Sequence, residues 1–320
     1  MAIYSDHTGA SPPECKIFAI AAPSTILWAS QSANDYQPAF VGEKTVQFTK
    51  LCCGRSTTVV GLTTGEIMVF SIRNAKDGVQ CRMVVRRRLH GHRIRHMSCS
   101  TLGVTGKTHH EVFVTCDGLS NVCIWDLAQN EEQTTIRVLC QYQIPTKRSD
   151  VGIIAASVQV RKSPKASSDV HDELFVALGD CHGHAHVLSV KLTNDLALPN
   201  GDHTKSKVRY RRIVSAHGRK QVSYVQCLDT DVYDVLTAGH DGFIRLYNIV
   251  HADDGTAPLL VECHVVSTDA VVQVERVMWS GDKSIVVAGF KASEFIAVDV
   301  DSNCQILRAD CGGWKRPWIT

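Results

Sequence analysis

No stretch of this 320-residue sequence approaches eighteen continuous apolar residues, which argues against a membrane-spanning helix. The opening "MAIYSDHTGASPPE" is polar and lacks an apolar core, so it does not read as a secretory signal. The thirteen cysteines include no C-x-x-C pair, and no N-x-[ST] acceptor occurs. Scattered thiols of this kind read as small buried core residues in a reducing compartment, most simply the cytoplasm. Charge bias is small: 34 Lys and Arg against 32 Asp and Glu, a net +2. That balance alone does not mark a nucleic-acid binder.

Catalytic signatures are missing too. There is no G-x-S-x-G elbow, and His110-Glu111 does not extend to H-E-x-x-H because Val114 occupies the second histidine position. Gly106-Lys107-Thr108 imitates a phosphate loop, but Thr101 stands where the earlier glycine belongs and "EVFVTC" follows, a strand pattern rather than a helix. Neither an enzyme nor a cofactor is expected.

What the sequence has is repetition. An apolar strand, a turn usually carrying Gly, and a second strand ending apolar-x-apolar recur five times. The copies end at Ile72, Leu127, Val190, Ile249 and Val300, and a weaker sixth ends at Ser30. Aligned on their ends, Trp28, Phe70, Trp125, Leu188, Tyr247 and Val298 share one position. Gly65, Gly183 and Gly242 stand five residues before it, as a hairpin needing positive φ requires. Alternation favours strands, and no long helical period competes. The class is all-β.

Successive copies lie roughly 40 to 60 residues apart, the spacing of four-stranded propeller blades with inserted loops. Gly91-His92 followed by Trp125-Asp126 resembles the Gly-His opening and Trp-Asp close of a WD40 repeat. His217-Gly218 leading to Asp241 and Tyr247 is a looser copy with the opening pair reversed. The resemblance implies a buried network of His, Ser or Thr, Asp and Trp within a blade. Asp241 sits six before Tyr247 as that network requires, whereas Asp117 sits eight before Trp125, which implies a longer turn and a disturbed network. Five or six degenerate blades are visible. Seven is the commonest number for such rings, so an incomplete seven-bladed propeller is expected, with a flexible segment 1–14, blades over 15–310 and the start of a further blade at 311–320.

Two clusters suggest binding. Cys181, His182, His184 and His186 lie within six residues; the three histidines, two apart, would share a strand face as metal ligands, or else the segment marks a hairpin turn and its outgoing strand. The turn position of Gly183 favours the hairpin, and no metal is expected. Arg82, Arg86, Arg87, Arg88, Arg93 and Arg95 form one basic run; Lys205, Lys207, Arg209, Arg211, Arg212, Arg219 and Lys220 form another. Each precedes a His-Gly or Gly-His pair, which places both on an outer strand and the loop to the next blade. They read either as solvated rim or as a positive arc for RNA phosphates or an acidic partner.

The last hundred residues narrow the resemblance. "AHGRKQVSYVQC" carries His217, Gly218 and Lys220; "TAGHDG" carries Asp241 and Gly242. "VVAGFKASEFIAVDV" carries Gly289, Phe290, Glu294 and Phe295; "CGGWKRPW" carries Cys311, Gly312, Gly313, Arg316 and Trp318. In that order they resemble the WD repeat-containing protein six family, with Arg219 inserted and Lys315 in place of the family's usual His. The resemblance implies a non-catalytic partner of an FtsJ-like methyltransferase, positioning tRNA for 2′-O-methylation at the wobble nucleotide. It implies no catalytic residue in this chain. A general protein-interaction scaffold is the alternative.

Overall fold

The structure is a computed structural model. It describes residues 2–5, 15–22, 25–30, 37–41, 47–54, 57–75, 78–105, 108–130, 133–145, 152–161, 173–191, 208–213, 215–228, 233–250, 258–268, 271, 273–279 and 284–310. Every regular element among them is a strand, and the strands form six four-stranded antiparallel sheets. Blade one comprises β1 (Ala2–Ser5), β2 (Cys15–Ala22), β3 (Thr25–Ser30) and β4 (Gln37–Val41). Blade two comprises β5 (Phe48–Cys53), β6 (Thr57–Leu62), β7 (Glu66–Ala75) and β8 (Gly78–Arg88). Blade three has β9 (Ile94–Thr105), β10 (Thr108–Asp117), β11 (Asn121–Gln129) and β12 (Thr134–Gln143). These three blades belong to one compact unit, which divides from a second after residue 147.

The second unit has the same plan. Blade four contains β13 (Ile153–Arg161), β14 (Glu173–Asp180), β15 (Ala185–Lys191) and β16 (Val208–Ile213). Blade five contains β17 (Val222–Cys227), β18 (Val235–Gly239), β19 (Phe243–Val250) and β20 (Leu259–Ser267). Blade six contains β21 (Gln273–Trp279), β22 (Ile285–Lys291), β23 (Glu294–Asp299) and β24 (Cys304–Asp310). Each repeated unit read from the sequence is therefore the second and third strand of a blade. β24 follows the Asp299-Val300 close and completes blade six as its fourth strand.

The turn between second and third strands explains the glycine spacing. Gly65, Gly183 and Gly242 have φ of 81, 84 and 80°. Ser120 occupies the same offset in blade three and adopts a φ of 64° despite its side chain. The carbonyl of this residue accepts from the chain that leaves the fourth strand: Gly65 from Leu89 and His90, Ser120 from Ile144, Gly183 from His217 and Gly242 from Thr268. A Cβ on Gly65 or Gly183 would strike that connecting backbone, so glycine is needed there for space as well as for φ.

Blades stack through apolar faces. Val59, Ile67, Val69, Ile94, Phe113 and Trp125 form one layer between blades two and three. Phe175, Val187, Val222, Val235 and Tyr247 form the corresponding layer between blades four and five. Burying one such side chain stabilises by roughly 1.5–3 kcal/mol. Polar stitches fix the stacking: Thr57 donates to the buried Glu111 carboxylate at 2.7 Å, and the Ser157 hydroxyl accepts from the Cys227 N–H at 2.9 Å. Glu111 fills the space where Gly54 would carry a side chain. Cys116, Cys123 and Cys140 are buried, as small apolar residues would be, whereas Cys263 and Cys304 on outer strands are exposed, contrary to the reading of the thiols as core residues.

Candidate functional site

The connections entering blades three and five each deliver one buried histidine. His90 Nε2 lies 2.8 Å from Thr115 Oγ1, and its Nδ1 is 3.7 Å from Asp117 Oδ2. His217 Nε2 lies 2.8 Å from Thr237 Oγ1, and its Nδ1 is 2.8 Å from Asp241 Oδ1. Both blades thus use a His-Gly order, His90-Gly91 and His217-Gly218. The expected Gly91-His92 opening is corrected: His92 is exposed and the network histidine is the residue before the glycine.

The expected disturbance at Asp117 is corrected as well. The turns Gly118–Ser120 and His240–Gly242 have equal length: both strands end three residues before the positive-φ residue, with Asp117 at the strand end where blade five has Gly239, and Asp241 inside the turn. Asp117 sits at the strand end, where its Oδ1 accepts the Leu119 and Asn121 N–H groups at 2.8 and 3.0 Å. Burial by itself would raise its pKa, but these bonds and those from His90 and the Asn121 side chain hold it at about 2. Trp125 does not complete the tetrad. Its indole N–H has no acceptor among the described residues, and the ring stacks on Phe113 at 4.5 Å instead. Asp126, the aspartate of the Trp-Asp pair, is buried against His110 at 3.3 Å and Arg137 at 3.5 Å. Burial pushes its carboxyl up, opposed by the contacts with His110 and Arg137. A cleft of about 400 Å³ opens beside the blade-three network, lined in part by Leu89, His90, Asp117, Asn121, Gln141 and Gln143.

Blade four treats its histidines differently. Asp180 ends β14 and accepts the His182 and His184 N–H groups on Oδ1, while Oδ2 lies 3.0 Å from His186 Nε2. His186 Nδ1 is 3.0 Å from the Tyr210 hydroxyl, and His184 Nδ1 accepts the Ser215 N–H at 2.8 Å. His182 and His184 lie in the turn, and only His186 is on a strand, so the three do not share a face. No group of metal-holding side chains occurs among the described residues. The hairpin reading stands.

The basic runs occupy the outer strands and connections expected for them, but they are not equivalent. Arg86, Arg87 and Arg88 lie on β8 and are engaged within the fold. Arg86 pairs with Glu66 at 2.8 Å, Arg87 donates to the Ile136 carbonyl at 2.8 Å and Arg88 to the His90 carbonyl at 3.2 Å. Arg93 and Arg95 are exposed around the start of β9, and Arg95 lies over Gly118. Arg209, Arg211 and Arg212 lie on β16, with Arg219 and Lys220 in the turn that follows. Among the described residues no carboxylate pairs with any of these five. Lys205 and Lys207 lie outside the described residues, as do Cys311, Gly312, Gly313, Arg316 and Trp318.

Within the terminal motif series, Gly289 is pressed against the Gln273 backbone, leaving no room for a Cβ. Phe290 packs edge-on against Phe295 at 5.2 Å, and Glu294 pairs with Arg308. Sequence reasoning missed Thr115, Thr237, Asp180 and Arg245. The last donates to Asp241 at 2.8 Å, and its only sequence signal is an i, i+4 spacing from that aspartate.

The architecture matches solved structures along nearly the whole chain. A chain of the Mitotic Checkpoint Complex aligns with a TM-score of 0.54 at 12% identity, covering 97% of this chain and 78% of its own. Sqt1 from Saccharomyces cerevisiae aligns at 0.55 and 12%, covering 96% and 74%. The β-propeller domain of Cps50 (Swd1) from Myceliophteria thermophila aligns at 0.55 and 12%, covering 97% and 86%. The fold is a WD40-type β-propeller. At this identity the likeness concerns the fold alone. No protein-family model matches the chain, and no curated protein matches it by sequence.

Proposed function

We propose that this propeller is a non-enzymatic interaction scaffold that organises partner macromolecules. The observation carrying this reading is where its reactive side chains go. His90, Asp117, His186, Asp180, His217 and Asp241 are engaged in networks that close turns and seat connections, while the outer strands and turns face outward. Such a fold presents surfaces instead of a reaction centre. Isolation of the tagged chain from cells under mild conditions, followed by mass measurement, tests this. A stoichiometric complex is expected; a chain that runs alone and turns over a substrate would overturn it.

A second, finer reading follows from the terminal motif series and from the blade-four cations that meet no carboxylate among the described residues. In it, the scaffold holds tRNA for wobble 2′-O-methylation by an FtsJ-like methyltransferase in the cytoplasm. It predicts salt-sensitive tRNA binding by the purified chain and an RNase-sensitive complex. Binding that survives charge reversal at both basic runs would remove it.

A further inference from the structure

Strand register makes Arg86, Arg212 and Arg308 equivalent. They stand opposite Met68, His186 and Ile296, each two residues before the aligned core positions Phe70, Leu188 and Val298. In blades two and six a glutamate lies two residues further back, Glu66 and Glu294, and pairs with the arginine. Blade four has His184 at that offset, with its Nδ1 already accepting the Ser215 N–H. Arg212 is therefore left with no carboxylate among the described residues, and it is exposed. Alternation places Arg209 and Arg211 on the face of β16 that carries Ile213, which packs toward blade five. Tyr210 and Arg212 lie on the other face. β16 is also the edge of its sheet, with one side unpaired among the described residues.

We infer that β16 is a docking edge for an acidic extended segment of a protein partner, which adds as a fifth strand of blade four. The inference rests on the scaffold reading and names the partner's chemistry. An added strand alternates its side chains as β16 does, so carboxylates on both of its faces meet Arg209 and Arg211 on one side and Arg212 on the other. The phosphates of a nucleic-acid strand lie along one surface and do not reach both faces of a sheet edge at once. Uncompensated arginines also repel basic strands and leave neutral ones with no charge partner, so the same residues that protect the edge select an acidic occupant.

The test uses the purified full chain and two synthetic ten-residue peptides with four glutamates each. In one the glutamates are consecutive and acidify both faces; in the other they alternate and acidify one face. The two-faced peptide is expected to bind about tenfold tighter and to slow amide exchange across Val208–Ile213. The double variant Arg211→Glu/Arg212→Glu is expected to lose about tenfold or more, and Arg86→Glu less than about twofold. Arg211→Lys/Arg212→Lys, which keeps the charge, is expected to retain most of the binding. Equal affinity for the two peptides, absent protection of β16, or binding of a tRNA transcript with neither peptide bound would overturn the inference. If the cellular complex persists unchanged in the double charge reversal, the scaffold reading stands and the blade-four edge is dismissed. If the wild-type chain forms no complex while the peptide binds as expected, the scaffold reading fails and the edge remains.

Discussion

The connection from blade two to blade three and that from blade four to blade five are one device built twice. Each leaves a basic fourth strand, donates to a positive-φ glycine carbonyl, and seats a His-Gly pair whose imidazole bonds to a threonine and approaches an aspartate. They differ in how the charges are settled. Arg86 is absorbed by Glu66, and Arg87 and Arg88 by backbone carbonyls, whereas no carboxylate among the described residues pairs with Arg209, Arg211 or Arg212. Asp117 keeps three hydrogen bonds, from the Leu119 and Asn121 N–H groups and the Asn121 side chain, besides its histidine's reach, while Asp241 depends on His217, the Phe243 N–H and Arg245. Identical architecture therefore does not imply identical work. One outer strand has its arginines engaged within the fold, and the other has arginines that meet no carboxylate among the described residues.

The largest effect is expected from the network histidines. His90→Ala and His217→Ala should each cost about 2–4 kcal/mol in urea unfolding, through a buried void and stranded hydroxyl and carboxylate groups. An effect below about 1 kcal/mol at either would break the equivalence. Next come the turn glycines. Gly65→Ala and Gly183→Ala should cost more than Gly242→Ala, because only the first two would drive a Cβ into the connecting backbone. Gly242→Ala should cost about 1–2 kcal/mol from φ alone.

Acid should separate the two connections. Burial lowers the pKa of His217, outweighing the Asp241 contact that raises it, and burial also lowers that of His184. With the folded pKa below the ordinary value of about 6.5, the unfolded chain takes the proton first. Their contribution is present above about pH 6.5 and is lost as pH falls below it, whereas that of Asp117 is lost only as pH falls below about 4 toward 2. Amide exchange measured per segment at pH 7 and 5 should therefore show His217–Val222 loosening. The smallest effect belongs to the arginines. Arg86→Ala should cost less than about 1 kcal/mol and Arg212→Ala close to nothing, since the first breaks only an exposed ion pair.

Much of this was legible in the residues. Period-two alternation located the second and third strands of each blade, with glycine at a fixed offset in blades two, four and five, because a hairpin constrains both side-chain parity and φ. The fourth strands were harder to read. β24 lies past the last repeat signal, and all seven of its residues are exposed, so no apolar rhythm announces it. The candidate site was legible in type and not in pairing. His217 and Asp241 stood at recognisable spacing, but His90 was hidden behind the more familiar Gly91-His92, and Asp117 looked misplaced because it stands at the strand end whereas Asp241 stands inside a turn of the same length.

The sequence by itself determined the all-β class, the repeat and the two basic strands, since these follow from local periodicity and charge order. Only the tertiary structure decided which arginines face a carboxylate and which histidine enters the core. Those outcomes depend on register between strands far apart in the chain, and a shift of one residue would move each side chain to the opposite face.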